Sequence, residues 1–98
     1  MHVISKRALR LFWERHPQAE GPLQAWFGRV DKATWSGPGD VKAMFGTTVD
    51  FVSDSRAIFD IAGNKYRLVV RVNYRNGAVM VKFVGTHTEY DKIDANTV

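Results

Sequence analysis

Two turn dipeptides, Gly63-Asn64 and Asn76-Gly77, each flanked by alternating apolar and polar residues, constrain this chain more than any other feature. Such dipeptides supply the positive φ angles that tight hairpins require, so the residues from about Val49 onward read as an antiparallel meander. Because strand side chains alternate faces, a two-residue turn also fixes which residues oppose one another. The first turn places Ile61 opposite Tyr66, Asp60 opposite Arg67 and Phe59 opposite Leu68. The second places Tyr74 opposite Val79, Val72 opposite Val81, Arg71 opposite Lys82 and Val70 opposite Phe83. One face then gathers Ala57, Phe59, Ile61, Tyr66, Leu68, Val70, Val72, Val79, Val81 and Phe83 as a core. The other gathers Arg56, Asp60, Arg67, Arg71 and Lys82, with Val69, Met80 and Val84 between them, as an open, concave, solvated face.

The first half is helical in period. HVIS is a short strand, and Ser5 is the expected cap of a helix over KRALRLFWERH whose Leu9, Phe12, Trp13 and His16 share one side, with Pro17 as its stop. A second helix is expected from Pro22, carrying Leu23, Trp26, Phe27 and Val30 on one stripe. After the SGPG loop, Asp40 caps a short turn that sends Val41, Met44 and Phe45 inward. Trp35, beside that loop, seals the core edge. ANTV at the end is expected to fray. With 98 residues there is material for one core. The expected fold is therefore a single α+β domain over 1–98, two amino-terminal helices packed on one face of a curved antiparallel β-sheet, with a short carboxy-terminal helical turn.

Charge and composition narrow the function classes. Fourteen Lys and Arg against ten Asp and Glu give a net +4, which favours an anionic partner. The absence of cysteine excludes disulfides, a thiolate metal site and a cysteine nucleophile. His2, His16 and His87 are too scattered for a zinc-ligand motif, and no phosphate-binding glycine loop or serine nucleophile motif occurs, so no metal and no cofactor is expected. No apolar run reaches membrane-spanning length or resembles a signal sequence, which leaves no membrane partner and a cytoplasmic location as the default.

The chemistry-bearing residues converge at the end of the meander, in GTHTEYDKIDA (85–95). Metal-free RNA cleavage needs a base for the ribose 2′-hydroxyl, an acid for the leaving 5′-oxygen and positive charge on the phosphate. Arg67, Arg71 and Lys82 can supply the charge. His87 and Tyr90 suit proton transfer, and Asp91 or Glu89 can orient His87 or act as base. Arg71 opposed to Lys82 would be a repulsive pair that a bound anion relieves. Each residue also has a purely structural reading: His87 as a surface hydrogen-bonding group, Tyr90 as a ring packed under the terminal segment, Asp60 as the partner that occupies Arg67, and Glu89, Asp91 and Lys92 as cap or decoration of a turn.

FDIAGNKYRLVVRVNY (59–74) followed by VKFVGTHTEYDKIDA (81–95) resembles the HigB toxin family, a branch of the RelE/ParE superfamily of bacterial type II toxin–antitoxin systems. The likeness extends weakly through the helices and WSGPGDVKAMF. It implies a microbial-RNase-like fold and a metal-independent endoribonuclease that cuts messenger RNA, often on the ribosome. A HigA-type helix-turn-helix antitoxin would neutralise it. By position, Arg67 matches an arginine used on the phosphate, His87 falls where relatives place a catalytic basic residue, and Tyr90 matches a late tyrosine; Asp91 completes the catalytic set. Arg71, Lys82, Lys65, Arg56 and Lys92 are the expected RNA-binding cations. Where some relatives carry lysines before the YRL motif, this chain has Ile58 and Asp60, with basic alternatives at Arg56 and Lys65. The implied reaction is attack of the 2′-hydroxyl on the adjacent phosphate, leaving a 2′,3′-cyclic phosphate and a 5′-hydroxyl. A ParE-like toxin that inhibits without cutting RNA, or a basic interaction module, are the competing classes.

Overall fold

A computed structural model describes all residues, 1–98. In chain order the elements are β1 (His2–Ile4), α1 (Lys6–Arg15), α2 (Glu20–Asp31), α3 (Pro38–Phe45), β2 (Val49–Val52), β3 (Arg56–Ile61), β4 (Tyr66–Asn73), β5 (Ala78–Thr86) and α4 (His87–Tyr90). The expected α+β class holds, with two corrections. Three helices, not two, precede the meander, because Pro38 at the first position of α3 and Asp40, whose Oδ2 accepts the Ser36 amide at 2.7 Å, start a full helix where a turn was expected. The five-stranded sheet, in the order β1-β5-β4-β3-β2, is mixed, since β1 runs parallel to β5.

The helices present the stripes their spacing dictates, but Ser5, at the amino cap of α1, makes no side-chain capping bond; only its carbonyl is engaged there, accepting the Ala8 amide at 3.2 Å. Leu9, Phe12 and Trp13 of α1 are buried, His16 stacks on Phe12 at 4.5 Å, and Pro17 turns the chain into a single 3-10 turn. α2 begins at Glu20, ahead of Pro22, which then sits in the first turn where its missing N–H costs nothing. Leu23, Trp26 and Val30 of α2, Val41 of α3 and Trp35 meet Phe59, Leu68, Val70, Val72 and Val79 of the sheet in one core. Trp35 does seal its edge, in edge-to-face contact with Phe45. No helix is long and apolar enough to cross a membrane.

The two hairpins fare differently. Ile61 pairs with Tyr66, Asp60 with Arg67 and Phe59 with Leu68, as the first turn requires. The second loop is longer than two residues: Asn73 pairs with Ala78, the Oδ1 of Asn73 accepts the Asn76 amide at 3.0 Å, and Gly77 takes φ +67. The side chain of Asn73 thus closes the turn early and shifts the pairing by two residues, placing Val72 opposite Val79 and Arg71 opposite Met80. A shift of two keeps every side chain on its face, so the core residues near the turn stay as expected. Farther along, Val70 pairs with Val81 but Val69 with Phe83, leaving Lys82 as the extra residue of a β-bulge. That insertion exchanges faces beyond it. Val84 packs toward the helices and Phe83 toward the opposite side, the reverse of the expected order.

The opposite side is not an open face. Ile58 and Val69 are buried beneath Ala95, and Val52, Phe83, Tyr90, Ile93 and Val98 surround them as a second, smaller core. The carboxy-terminal segment does not fray: Asn96 Oδ1 accepts from the Ser53 amide and hydroxyl, and Arg56 donates to the Val98 carbonyl at 3.1 Å. The physical reason is the apolar row Ile58–Val69–Phe83, whose burial contributes on the order of 1.5–3 kcal/mol per large side chain. A solvated sheet would forgo that stabilisation.

Candidate functional site

The covered row divides the cations into two groups. At one end lie Lys65 and Arg67, together with His87, Tyr90 and Asp91; at the other lie Arg56 and Arg71. The repulsive pair expected between Arg71 and Lys82 does not exist. Instead Arg71 pairs across the strands with Arg56, and Asp54 stands between the two, one carboxylate oxygen 3.0 Å from each guanidinium. Asp54 reaches them from a left-handed backbone conformation, φ +61, that aspartate tolerates better than most residues. Arg56 is buried, bound to Asp54 and the tail carbonyl, and so has no face for RNA; it ties down the tail. The sequence signal for Asp54 was weak, since nothing local marks a turn carboxylate as the counter-charge for two strands.

At the His87 end the arrangement is tighter. β5 runs on into α4, with Thr86 as the amino cap. Its hydroxyl accepts the Glu89 amide at 3.2 Å, and Glu89 Oε1 accepts the Thr86 amide at 2.8 Å, a reciprocal pair that ends the strand and starts the turn. The hydrogen bond from the Thr86 backbone, then that from its side chain, with the charges of Arg15 and His16 adding, hold the Glu89 carboxyl below the usual carboxylate range. Glu89 is therefore occupied with the cap and not with His87. That task falls to Asp91: His87 Nδ1 lies 3.2 Å from its Oδ2. With Nδ1 directed to a carboxylate, Nε2 is the nitrogen available to a ligand.

Arg67 sits directly across from Gly85. Paired strand residues are about 5 Å apart, and Gly85 to His87 spans at most about 7 Å, so the α-carbons of Arg67 and His87 lie within about 12 Å of one another. The backbone joins the two sides as well, since the Lys65 carbonyl accepts the His87 amide at 3.1 Å. The Arg67 guanidinium lies over the Tyr90 ring, 5.8 Å from its centre, and Tyr90 leans on Phe83. Gly85 is needed for this packing: a β-carbon there would come 2.5 Å from Phe83 Cζ.

Arg67 is well occupied. Asp60 Oδ1 is 3.3 Å from its Nε, Asn64 Oδ1 accepts from Nη2, and only 13% of its side chain is exposed. The pairing with Asp60 was legible from the register; the clamp by Asn64 was not, because the turn residue's side chain folds back onto the strand. Lys82, half-buried in the bulge, and exposed Lys92 on the tail complete the expected cations.

Comparison with known proteins identifies a family. The family model described as HigB toxin, RelE-like toxic component of a toxin–antitoxin system, matches residues 19–93. The mRNA interferase toxin HigB of Escherichia coli strain K12 is 32% identical over 92 residues, covering 93% of this chain and 88% of that one. The mRNA interferase HigB of Shigella flexneri shows the same identity and coverage. That of Escherichia coli O6:H1 is 26% identical over 94 residues, 95% and 91% of the two chains.

Proposed function

Because the chain belongs to the HigB family of RelE-like toxins, we propose that it is the toxin of a toxin–antitoxin pair and an endoribonuclease that cuts messenger RNA. The observation that carries the chemistry is His87 held through Nδ1 by Asp91 at the same sheet end as Arg67 and Lys65. In this reading His87 exchanges a proton at Nε2 with the reacting ribose or the leaving oxygen. Asp91 keeps the imidazole oriented. Arg67 and Lys65 meet the phosphate, Arg67 sharing its charge between the phosphate and Asp60, and the Tyr90 hydroxyl stands at the rim as a hydrogen-bond donor. Attack of the 2′-hydroxyl on the adjacent phosphorus expels the 5′-oxygen, giving a 2′,3′-cyclic phosphate and a 5′-hydroxyl. The substrate is messenger RNA on the ribosome, and the neutralising partner is a HigA-like helix-turn-helix antitoxin.

The test is induction of wild type, His87→Ala, Tyr90→Phe and Arg67→Ala in cells, mapping RNA 5′ ends while following growth. New 5′ ends and growth arrest should fall together in the variants. Arrest by the wild type with RNA intact would end the nuclease reading.

A further inference from the structure

The β3–β4 turn stands beside Arg67, and one of its side chains folds back onto the guanidinium. Gly63, at φ +69, bends the chain, and Asn64 follows it outside the left-handed region, exposed and packed in neither core. Its side chain contributes nothing to packing. Asn64 Oδ1 nevertheless accepts from Arg67 Nη2, while Asp60 Oδ1 lies 3.3 Å from Arg67 Nε. Arginine only donates, so the amide oxygen faces the guanidinium and the Asn64 NH2 group points away from it.

Two partners on neighbouring nitrogens do what one cannot. A contact at Nε alone leaves the guanidinium plane free to swing about that bond, whereas a second contact at Nη2 fixes the plane. The Tyr90 ring lies against it, 5.8 Å away. Nη1 leans on the Tyr66 carbonyl at 3.5 Å. An arginine has five N–H donors, so Nη1 and Nη2 each keep one, and these lie on the outer edge of the plane. That edge is the fork a phosphate takes in bidentate fashion.

We propose that Asn64 is a positioning residue for RNA cleavage: by holding Nη2 it fixes the direction in which Arg67 presents this outer edge to the phosphate. The proposal rests on the RNA-cleaving reading above. Negative charge on the phosphate grows as the 2′-hydroxyl attacks, so a fixed fork counts for more in the transition state than in the bound RNA. Loosening it lowers the rate at saturation and leaves RNA binding, which draws on many cations, nearly as it was. A direct contact of the Asn64 amide with RNA is the rival role. The two differ in how they depend on Arg67.

The test is single-turnover cleavage of messenger RNA on ribosomes by wild type, Asn64→Ala and Asn64→Ser, serine being a turn residue too short to keep the clamp. Each variant should lose about 10-fold in saturating rate, the scale of a misplaced catalytic group, with the half-saturating concentration within about 2-fold of wild type. The denaturant midpoint, measured alongside, should stay put. Arg67→Lys keeps the charge but has no fork, so adding Asn64→Ala to it should change nothing more. The guanidinium NMR signals of Arg67 give a readout apart from activity: the Nη protons should be separate in wild type and merge in Asn64→Ala. An unchanged saturating rate in both variants overturns the proposal, as do Nη signals that stay separate without the amide. An equal loss in the Arg67→Lys background overturns it in favour of direct contact with RNA. Wild type that cuts no RNA, with Nη signals that merge in Asn64→Ala, ends the nuclease reading and leaves the clamp itself standing.

Discussion

The Arg67 guanidinium lies 5.8 Å from the centre of the Tyr90 ring, and the same ring leans on Phe83 above the second core. Tyr90 is thus both a packing element and a rim residue, and the two substitutions that separate these roles have different outcomes. Tyr90→Phe keeps the ring and should leave stability within about 0.5 kcal/mol of wild type. Tyr90→Ala removes a half-buried aromatic and should cost about 2–3 kcal/mol, below the range for a fully buried ring. If the hydroxyl serves the reaction, RNA cleavage drops in Tyr90→Phe while the denaturant midpoint stays put; equal cleavage in the two proteins assigns the residue to packing alone.

His87 and Asp91 are both exposed, so their substitutions read out chemistry with little change in stability. His87→Ala should lower single-turnover cleavage by about 10²–10⁴-fold, the usual worth of a proton-transfer group. Asp91→Ala, which frees the imidazole without removing it, should lose less than His87→Ala, and Asp91→Asn should recover part of that loss by bonding to the same nitrogen. A double variant no worse than His87→Ala alone is the expected sign that Asp91 acts through His87.

Asp54 is the counter-charge for a buried arginine and an exposed one. Asp54→Asn tolerates the left-handed backbone but leaves Arg56 with little beyond the Val98 carbonyl. A destabilisation of about 1–3 kcal/mol is expected, with faster hydrogen exchange in the tail before the helices open. A tail exchanging at the wild-type rate would show that Asp54 does not govern its docking.

The Glu89 cap gives a pH signature. Its folded carboxyl is held below the usual range by the Thr86 hydrogen bonds, so the cap contributes stability above the ordinary glutamate range and loses it as pH falls through the lowered folded value. Glu89→Gln should therefore be less stable than wild type near neutrality and should lose less on acidification from about pH 5 downward. Parallel acid-unfolding curves for the two proteins would show that the carboxylate does not hold α4 in place.

How much of this was legible from residues alone depends on range. Gly63-Asn64 set the β3–β4 register because a tight turn acts on its immediate neighbours, and with it the Asp60–Arg67 pair. The stripes on α1 and α2 followed from helical period for the same local reason. The THTEYD segment announced the cluster of His87, Tyr90 and Asp91, since the Thr86 cap and the His87–Asp91 spacing are contacts within one turn. Packing between distant parts decided the rest. The Asn73 side chain closed the second loop early, the bulge at Lys82 exchanged Phe83 with Val84, and the tail came down on Ile58 and Val69. Each outcome depends on which apolar rows find cover and which backbone groups find partners once the whole chain is assembled, a balance no window of neighbouring residues contains.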